Sequence, residues 1–569
     1  MKKTRRILGL GLAAAMMMSG AAGLADGVVL NDEGVTPIVK EGDVTLKIAV
    51  TQSADVVDYN NGNWLTDHLA EMLGGKIEVD VWPSTDAETK LTLMVTSGNE
   101  LPDVLTFGAT TWSTRNTYAD AGALLNLDEY FAEGSGYSTA FYQRCEEAGM
   151  DASAVLNQVR SSDGSIYAFP QSDLKLPNVY SNRAYINQDF LDAVGMEAPK
   201  TIDELTEVLK AFRDKDPNGN GIADEIPLTG TKDWSGNGNA LVWLQNMFVY
   251  FDGSDNRYDR MDNTDGKLDV AYDKDNIGST AYDASADKDG YREFLKYVNM
   301  LVSEKLLDMA SFTQDTATMR KALQADVQTV GMMCGSANGF GNNIASWQPI
   351  EQPKGPDGLQ QVTYWPQNIG SVWIISADCK NPEAAVKLGM LGYIGDEQGL
   401  IARFGEPGVD WRYAEEGEES VFKELGIKPH IKCLNVTWAT VSNKSWQNNV
   451  IPYLSDESTH IEVFDGNELY GERIHGRSVC MNMQYAPDKS AVIAGTIHYT
   501  EEEQDEWGEL RTALKTYVQE ATNLFCVGQL DPNSDADWQS YLDELNNLQY
   551  KEILAVDNEA YARTYGLSE

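Results

Sequence analysis

The 569-residue sequence predicts an α/β protein, because runs of strand length alternate with helical patterns near its start. The apolar, β-branched run Val44–Val50 predicts a buried strand. A helix is predicted over Trp64–Leu73, a strand over Ile77–Trp82, a helix over Asp86–Thr96 and a strand over Pro102–Phe107. Strands that alternate with helices in this way are typical of parallel α/β units.

The later part of the chain continues the same mixture. Two segments, Ser165–Pro170 and Asn178–Ile186, predict a strand-rich crossing. Further elements are predicted as strands over Val327–Met333 and Gly370–Ser376, and as helices over Asn381–Tyr393, Trp507–Leu524 and Trp538–Leu548. With 42% hydrophobic residues, a chain of this length can build more than one core.

The N-terminal residues predict an exported protein. Residues 1–25 resemble an export signal, because basic residues precede the apolar run Ile7–Met18 and small residues at 23–25 offer a cleavage position. Residues 26–43 are polar and acidic without periodicity, which predicts a flexible leader. No later apolar run has the length needed to span a bilayer, so we expect an extracellular, cell-surface or periplasmic location.

The charge of the chain argues against nucleic acid as a partner. Removal of the signal, with its four basic residues, takes the formal net charge from −43 to −47. A surface this acidic repels nucleic acid and anionic lipid. The six cysteines show no CxxC motif and no zinc spacing, and the sequence leaves open whether one or two disulfides form.

Residues 214–225 predict a calcium site at the end of a helix. Thr201 and Glu204 form a capping-box pattern that predicts a helix start, and an apolar stripe from Ile202 to Phe212 follows. After this stripe, oxygen-bearing side chains recur at every second position and glycines lie between them. A short loop can wrap around Ca²⁺, which prefers six to eight oxygen ligands, only where glycines permit tight turns.

Two registers of this loop fit the sequence. In the first, Asp214 is the first ligand, Gly219 is the turn glycine and Glu225 closes the loop, as in an EF-hand. In the second register, the ligands are Asp216, Asn218, Asn220, Ile222 through its carbonyl, Asp224 and Glu225. A turn rich in Asn and Gly without an ion is the alternative interpretation.

The sequence contains no GxSxG or HExxH motif, and its five histidines are widely spaced. No pair of the 87 acidic residues stands out as a glycosidase pair, because the separation of two carboxylates is set in three dimensions. These absences favour a protein that is not an enzyme, and the family resemblance described next implies the same. A secreted polysaccharide-cleaving enzyme with a structural calcium site remains the alternative.

The chain resembles extracellular solute-binding proteins of family 1, of the oligosaccharide- and alginate-binding type, which serve ABC sugar importers. The resemblance covers nearly the whole mature chain. It is carried by segments 97–104, 123–128, 180–195, 216–228, 380–385 and 405–411. It favours the second calcium register, and it implies a structural Ca²⁺.

The family resemblance also implies a two-lobed, periplasmic-binding-protein-like fold of type II, with hinge crossings and a central ligand cleft. Lobe 1 would hold residues 44–172 and 368–500. Lobe 2 would hold residues 173–367 and 501–569, including the calcium loop 214–225. Binding of a ligand would close the lobes, and the closed form would dock on the permease.

A sugar site requires flat aromatic rings for the apolar faces of the sugar and polar groups for its hydroxyl edges. Such rings should lie on loops at strand ends that face the cleft. The candidate ligand-binding residues are Trp64, Trp112, Trp234, Trp365, Asp410 and Trp411. Each tryptophan also has a core-packing interpretation, and Trp507 and Trp538 are interpreted as core residues.

The sequence thus predicts a monomeric protein that captures an oligosaccharide and delivers it to the permease subunits of an ABC transporter. A binding protein for a peptide or another solute is the second alternative. Competition by neutral sugars separates that alternative from the main hypothesis.

Overall fold

The computed structural model describes most of the chain. The described residues are 27–107, 112–172, 176–180, 182–232, 238–248, 290–356, 358–364, 369–435, 441–447, 451–464, 466, 471–486 and 497–565. The predicted export signal therefore lies outside the described residues. In the part of the chain that is described, no helix is both long enough and apolar enough to cross a bilayer.

Short strands and longer helices alternate along much of the chain. The strands are β1 (Val29–Leu30), β2 (Val39–Glu41), β3 (Thr45–Thr51), β4 (Lys76–Trp82), β5 (Val104–Leu105), β6 (Phe169–Gln171), β7 (Ala184–Asn187), β8 (Ile226–Thr229), β9 (Val330–Cys334), β10 (Trp347–Pro349), β11 (Gly370–Val372), β12 (Ile374–Ile375), β13 (Trp411–Tyr413) and β14 (Ile431–Cys433).

The helices include 18 α-helices and several short 3₁₀ helices among the described residues. The first nine are α1 (Trp64–Leu73), α2 (Ala87–Ser97), α3 (Trp112–Asp120), α4 (Asp128–Phe131), α5 (Thr139–Glu147), α6 (Ala152–Val159), α7 (Leu176–Val179), α8 (Gln188–Val194) and α9 (Ile202–Asp214). The second nine are α10 (Ala240–Gln245), α11 (Gly290–Ser303), α12 (Thr316–Leu323), α13 (Pro382–Met390), α14 (Glu397–Phe404), α15 (Gly471–Asn482), α16 (Glu501–Cys526), α17 (Asp535–Asn547) and α18 (Tyr550–Tyr565).

The first lobe is built on a four-stranded sheet in the order β12-β5-β3-β4. Strand β3 pairs in parallel with both β4 and β5, while β12 runs antiparallel at the edge. The sheet lies in a hydrophobic cluster that includes Leu46, Ile48 and Val50 of β3. The alternation of strands and helices predicted for residues 44–107 is confirmed.

The second lobe has its own four-stranded sheet, in the order β10-β7-β9-β8. Strands β8 and β9 are parallel, and β7 lies antiparallel between β9 and β10. Helices α9, α11 and α16 bury apolar side chains against this sheet in a separate hydrophobic cluster. Two sheets with two cores are the physical basis of the two-lobed α/β fold.

Three stretches of chain meet between the lobes. Strands β6 and β11 form an antiparallel pair, with Pro170 opposite Ser371. A third stretch joins them through a bridge between Ser172 and Leu454. The predicted strand 370–376 is broken into β11 and β12, because Trp373 adopts a left-handed backbone conformation with φ of 50°. Its ring is fully buried, and its indole N–H donates to the Ala385 carbonyl at 3.1 Å.

The prediction of a flexible leader over residues 26–43 is wrong for the described part of that segment. Strands β1 and β2 pair antiparallel and form a ribbon on the first lobe. Ile38 is 1% exposed, and its amide donates to the Met72 carbonyl at the end of α1 at 2.9 Å. A few apolar residues are enough to order this polar segment, because the first lobe supplies the residues that they contact.

The predicted lobe boundary near residue 500 also differs from the observed packing. Helix α15 contacts α7, β10 and the 3₁₀ helix Ala337–Ser346. Its Ile474 is buried in a cluster with Tyr185 and Trp347 of the second lobe. Residues 471–482 thus pack against elements of lobe 2, and Val479 also joins a cluster with Phe422 and Ile461, because the chain crosses between the lobes a third time before this helix.

All six cysteines are free thiols in the structure, and Cys334 and Cys526 are fully buried. Burial raises the pKa of both thiols well above the ordinary value. The disulfides that the sequence left open are not formed. The cysteines of the chain are instead packed as small apolar residues.

Candidate functional site

The two sheets place their strand ends on either side of the three crossings. In lobe 2 the parallel strands β8 and β9 end at Thr229 and Cys334. Beyond them, the Thr231 amide donates to the Gly238 carbonyl at 2.8 Å, and the Gly335 amide donates to the Arg183 carbonyl at 3.1 Å. The loops after β8 and β9 and the residues before β7 therefore share one edge. In open α/β sheets, ligands bind at this edge.

An aromatic pair lies beside the crossings. The rings of Tyr180 and Tyr364 are 5.4 Å apart between centroids, and both side chains are buried. The Tyr364 hydroxyl donates to Glu457 Oε1 at 3.3 Å. Burial, helped by the charge of Glu457, raises the pKa of Tyr180 to about 12. Both phenols therefore remain neutral donors over the physiological range.

A buried arginine ties the first lobe to the hinge. Arg115 of α3 is 2% exposed, and its guanidinium donates to Ser371 Oγ of β11 at 2.7 Å. It also donates to Ser161 Oγ at 3.3 Å and to the Arg160 carbonyl at 3.4 Å. Burial lowers its pKa to about 10, so the group keeps its positive charge at neutral pH. Arg115 thus holds one crossing strand in place.

Several buried amide groups near the crossings lack hydrogen-bond partners among the described residues. Both the Nδ2 and the Oδ1 of Asn182 are without a partner, although the side chain is 4% exposed. Nε2 of Gln245 and Oε1 of Gln171 are also unpaired. Buried polar groups are almost always paired in folded proteins, so these side chains mark a place where another group can bind.

The structure places the predicted tryptophans in different settings. Trp64 is partly exposed, begins α1 and stacks on His68 with the ring centroids 5.0 Å apart. The backbone of Trp112 begins α3, but its side chain lies outside the described part of the chain. Trp234 and Trp365 also lie outside the described residues. Of the four, Trp64 is the one whose described ring has an exposed surface.

Asp410 and Trp411 are buried and hydrogen-bonded within the protein in this structure. This corrects the expectation that they contact a ligand. Trp411 is fully buried, and its indole N–H donates to the Gly405 carbonyl at 2.9 Å. The Asp410 carboxylate accepts from the Glu406 amide at 2.9 Å and lies 3.3 Å from Lys444 Nζ. Both residues hold the glycine-rich turn before β13 in shape. Sequence alone does not separate a turn-stabilising Asp-Trp pair from a ligand contact.

Sequence reasoning missed five buried residues on segments that adjoin the crossings, namely Arg115, Tyr180, Asn182, Gln245 and Tyr364. The available signal was position: Tyr180 and Asn182 lie in a predicted crossing, and Tyr364 directly precedes the candidate Trp365. The contact between Tyr180 and Tyr364 joins chain segments far apart in sequence, which no local pattern records.

The predicted calcium loop follows α9 as expected. The Thr201 side chain accepts from the Glu204 amide at 3.2 Å, but Glu204 bonds the Lys200 amide, so the reciprocal half of the capping box is not formed. The Asp214 carboxylate is held by Arg213 at 2.6 and 2.8 Å. This pairing engages the first ligand of the first register, whereas the second register does not use Asp214.

The residues of the second register form a compact turn that is held together by their oxygen-bearing side chains. Asp216 accepts from the amides of Asn220 and Gly221 at 3.1 and 3.0 Å. The Asn220 side-chain amide donates to both oxygens of Asp224, at 3.1 and 3.2 Å. Gly219 and Gly221 have φ of 69° and 75°, as the sequence argument for tight turns requires.

The donor set of this loop fits a hard cation. Among the described residues, no group of three or more His, Cys, Asp or Glu side chains is gathered as in a metal site, so asparagine and carbonyl oxygens would have to complete the shell. However, Oε1 of Glu225 is buried without a partner. Burial, and then the negative charges of Asp216 and Asp224, raise the pKa of Glu225. A divalent cation would compensate this group of carboxylates.

Comparison with known proteins adds a family match and fold neighbours. Residues 73–388 match the model of a family described as bacterial extracellular solute-binding protein. The fructooligosaccharide ABC transporter substrate-binding protein FusA of Streptococcus pneumoniae is 30% identical over 289 residues, which are 50% of this chain and 48% of the relative. The alignment thus spans about half the length of this curated relative.

Solved structures show the same architecture over more of the chain. FusA of S. pneumoniae in complex with kestose aligns with a TM-score of 0.70 at 21% identity, over 92% of this chain and 100% of that chain. An EF-hand mutant of FusA with fructo-nystose gives a TM-score of 0.69 at 21% identity, over the same shares of both chains. These likenesses confirm the predicted two-lobed α/β solute-binding-protein fold.

Proposed function

Because this chain belongs to the family of bacterial extracellular solute-binding proteins, we propose that it binds an oligosaccharide between its lobes and delivers it to an ABC permease. The proposal rests on the composition of the junction between the two lobes. An aromatic pair, Tyr180 and Tyr364, lies with unpaired amide groups beside three crossing segments. Aromatic faces combined with a few polar groups are the chemistry that a sugar requires.

The comparisons support a neutral fructan as the first ligand to test, because the relative FusA is a fructooligosaccharide-binding protein. In this proposal the protein releases its glycan unchanged and has no enzymatic activity. It works outside the cytoplasm, on the cell surface or in the periplasm, as a monomer. Trp64, Trp112, Trp234 and Trp365 remain candidate stacking residues for the sugar.

We further propose that the loop 214–225 binds a structural Ca²⁺. The residues that would hold it are Asp216, Asn218, Asn220, Ile222, Asp224 and Glu225. The bound ion would neutralise the carboxylates of the loop. Support comes from the unpaired, buried Glu225 oxygen and from the solved EF-hand mutant of FusA. The ion would fix the chain between α9 and β8, away from the crossings.

The function is tested by titrating the purified protein with kestose, nystose, maltotriose and a short uronate oligomer. Tryptophan fluorescence reports binding, and chromatography of the same samples reports cleavage. We expect saturable binding of at least one glycan, which is recovered intact. Shortened glycan would instead identify a polysaccharide-cleaving enzyme, and a response only to peptides would identify a receptor for a different solute.

A further inference from the structure

Two buried side-chain amides at the junction between the lobes have polar atoms without a hydrogen-bond partner in the described part of the chain. Asn182 is 4% exposed, and neither end of its side chain has a partner. Gln245 is 2% exposed, and its Nε2 is unpaired. Leaving a buried polar atom unpaired costs about 1–3 kcal/mol, so a fold retains such a side chain at a real cost in stability.

A series of contacts connects the two chain segments that carry these amides. Asn182 follows Tyr180 by two residues, and the Tyr180 ring packs on Tyr364. Beside Tyr364, Thr363 Oγ1 accepts from the Asn246 side chain at 3.0 Å. Gln245, which precedes Asn246, ends helix α10. Segment 363–364 therefore links the residues before β7 to the end of α10, at the lobe 2 side of the crossings.

The position of Asn182 in the sheet supports a ligand contact. It lies two residues before β7, whose Ala184 pairs with Cys334, the last residue of β9. Since β7 runs antiparallel to β9, Asn182 lies beyond the carboxyl end of β9. This is the edge at which parallel sheets bind their ligands.

The chemistry of the unpaired groups indicates an uncharged ligand. An asparagine side chain offers two donors and an acceptor without net charge, which match the alternating roles of sugar hydroxyls. Arg115, the buried cation at the β11 crossing, already donates to Ser371, Ser161 and a carbonyl within the protein. The net charge of −43 also disfavours an acidic glycan.

We propose that Asn182, together with Gln245, forms hydrogen bonds to hydroxyl groups of an uncharged glycan at the lobe 2 side of the cleft. This inference rests on the proposed function and deepens it. It assigns the specificity for a neutral ligand to two residues whose unpaired polar atoms destabilise the ligand-free fold.

The test compares Asn182→Leu with a matched control, Asn343→Leu. Leucine keeps the approximate shape of asparagine and removes its polar atoms. Asn343 lies far along the chain in a 3₁₀ helix, and its amide donates to the carbonyls of Leu323 and Ala325 at 2.9 and 3.0 Å. The control therefore removes an amide that is already satisfied. Gln245→Leu serves as a second variant of the junction.

Each variant is measured for the melting temperature without ligand and for kestose and nystose affinity by calorimetry. For Asn182→Leu we expect an equal or higher melting temperature and an affinity reduced about tenfold or more. Asn343→Leu should show the opposite pattern, with a lower melting temperature and unchanged affinity. A smaller loss of affinity, about threefold or more, is expected for Gln245→Leu.

Two results would overturn the inference while leaving the proposed function in place. One is wild-type affinity in Asn182→Leu together with a melting temperature several degrees lower, which would make Asn182 structural. The other is preferential binding of a uronate trimer by the wild-type protein. If the wild-type protein binds no glycan at all, the proposed function fails and the inference fails with it.

Discussion

At the scale of single residues, the fold depends on places where the backbone of one segment touches another. Gly392, in the 3₁₀ helix Leu391–Tyr393, is such a place: a Cβ atom there would lie 1.7 Å from the Pro452 carbonyl oxygen. Gly389 is similar, because a Cβ would lie 2.7 Å from the buried Trp373 ring. These glycines allow the first lobe to pack closely against two of the crossings.

We predict that Gly392→Ala lowers the free energy of unfolding by about 3 kcal/mol or more. A backbone oxygen cannot rotate away as a side chain can, so the third crossing must shift. Urea denaturation checks this prediction. The matched control is Gly339→Ala, where the nearest atom would be 3.5 Å from the new Cβ. Equal stability of the two variants would contradict the argument.

At the scale of secondary-structure elements, the loop 214–225 lies between α9 and β8, and the C-terminal helices contact both lobes. Helix α16 packs against α11 in lobe 2, while α18 contacts α6 in lobe 1. Between them, His498 Nε2 lies 3.2 Å from the Gln158 carbonyl, and the His498 amide donates to Thr564 at 2.9 Å. The Gln158 side chain in turn accepts from the Ile369 amide, beside β11.

For the loop, we predict that chelation of Ca²⁺ lowers the melting temperature by several degrees but leaves glycan binding at low temperature intact. Loss of the ion leaves the carboxylates of the loop uncompensated. Differential scanning fluorimetry with and without chelator measures the effect. Asp216→Ala should abolish the response to chelator, whereas Asp214→Asn should retain it, because Arg213 already holds Asp214. An unchanged melting temperature in the wild-type protein would contradict calcium binding.

The contact between α18 and α6 should make stability depend on pH. Burial, together with the charges of Arg115 and Arg563, lowers the pKa of His498 to about 4, against the raising effect of the Gln158 carbonyl. Unfolded histidine takes up a proton near pH 6.5, and folded His498 does so only near pH 4. The unfolded state therefore binds more protons between these values, and stability falls as the pH drops from 6.5 to 4.

We predict a loss of up to about 3 kcal/mol over this range from His498 alone. In His498→Gln the slope of unfolding free energy against pH should flatten between pH 6.5 and 4. The variant His68→Gln, which changes a histidine outside this contact, should keep the wild-type slope. Identical slopes in wild type and His498→Gln would show that this histidine does not contribute.

At the scale of the whole molecule, two lobes with separate cores are joined by three crossings. The β6–β11 pair and the bridge from Ser172 to Leu454 are short, so few backbone angles need to change for the lobes to move. The buried Tyr180–Tyr364 pair lies beside these crossings. A ligand that contacts both lobes can therefore select the closed arrangement.

We predict that a bound glycan reduces the radius of gyration in small-angle X-ray scattering. Asn182→Leu at the same glycan concentration should remain as open as the ligand-free protein, and Asn343→Leu should close like the wild type. Binding without any change in the radius of gyration would show that the crossings do not act as a hinge.

The sequence by itself determined the fold class, most of the strands and helices, the position of the glycine-rich loop, and the family. Periodicity and turn residues are local properties, and α1, β3, β4 and α9 follow directly from them. The N-terminal ribbon was missed, because Ile38 is fixed by a partner in α1 and not by its own neighbours.

Only the tertiary structure decided which side chains meet. Asp410 and Trp411 look like ligand contacts in the sequence, but the fold uses them inside a turn. Tyr180 and Tyr364 meet because the chain crosses between the lobes three times and brings segments nearly 200 residues apart in sequence side by side. Burial and pairing are set by such long-range contacts, and local sequence patterns do not contain them.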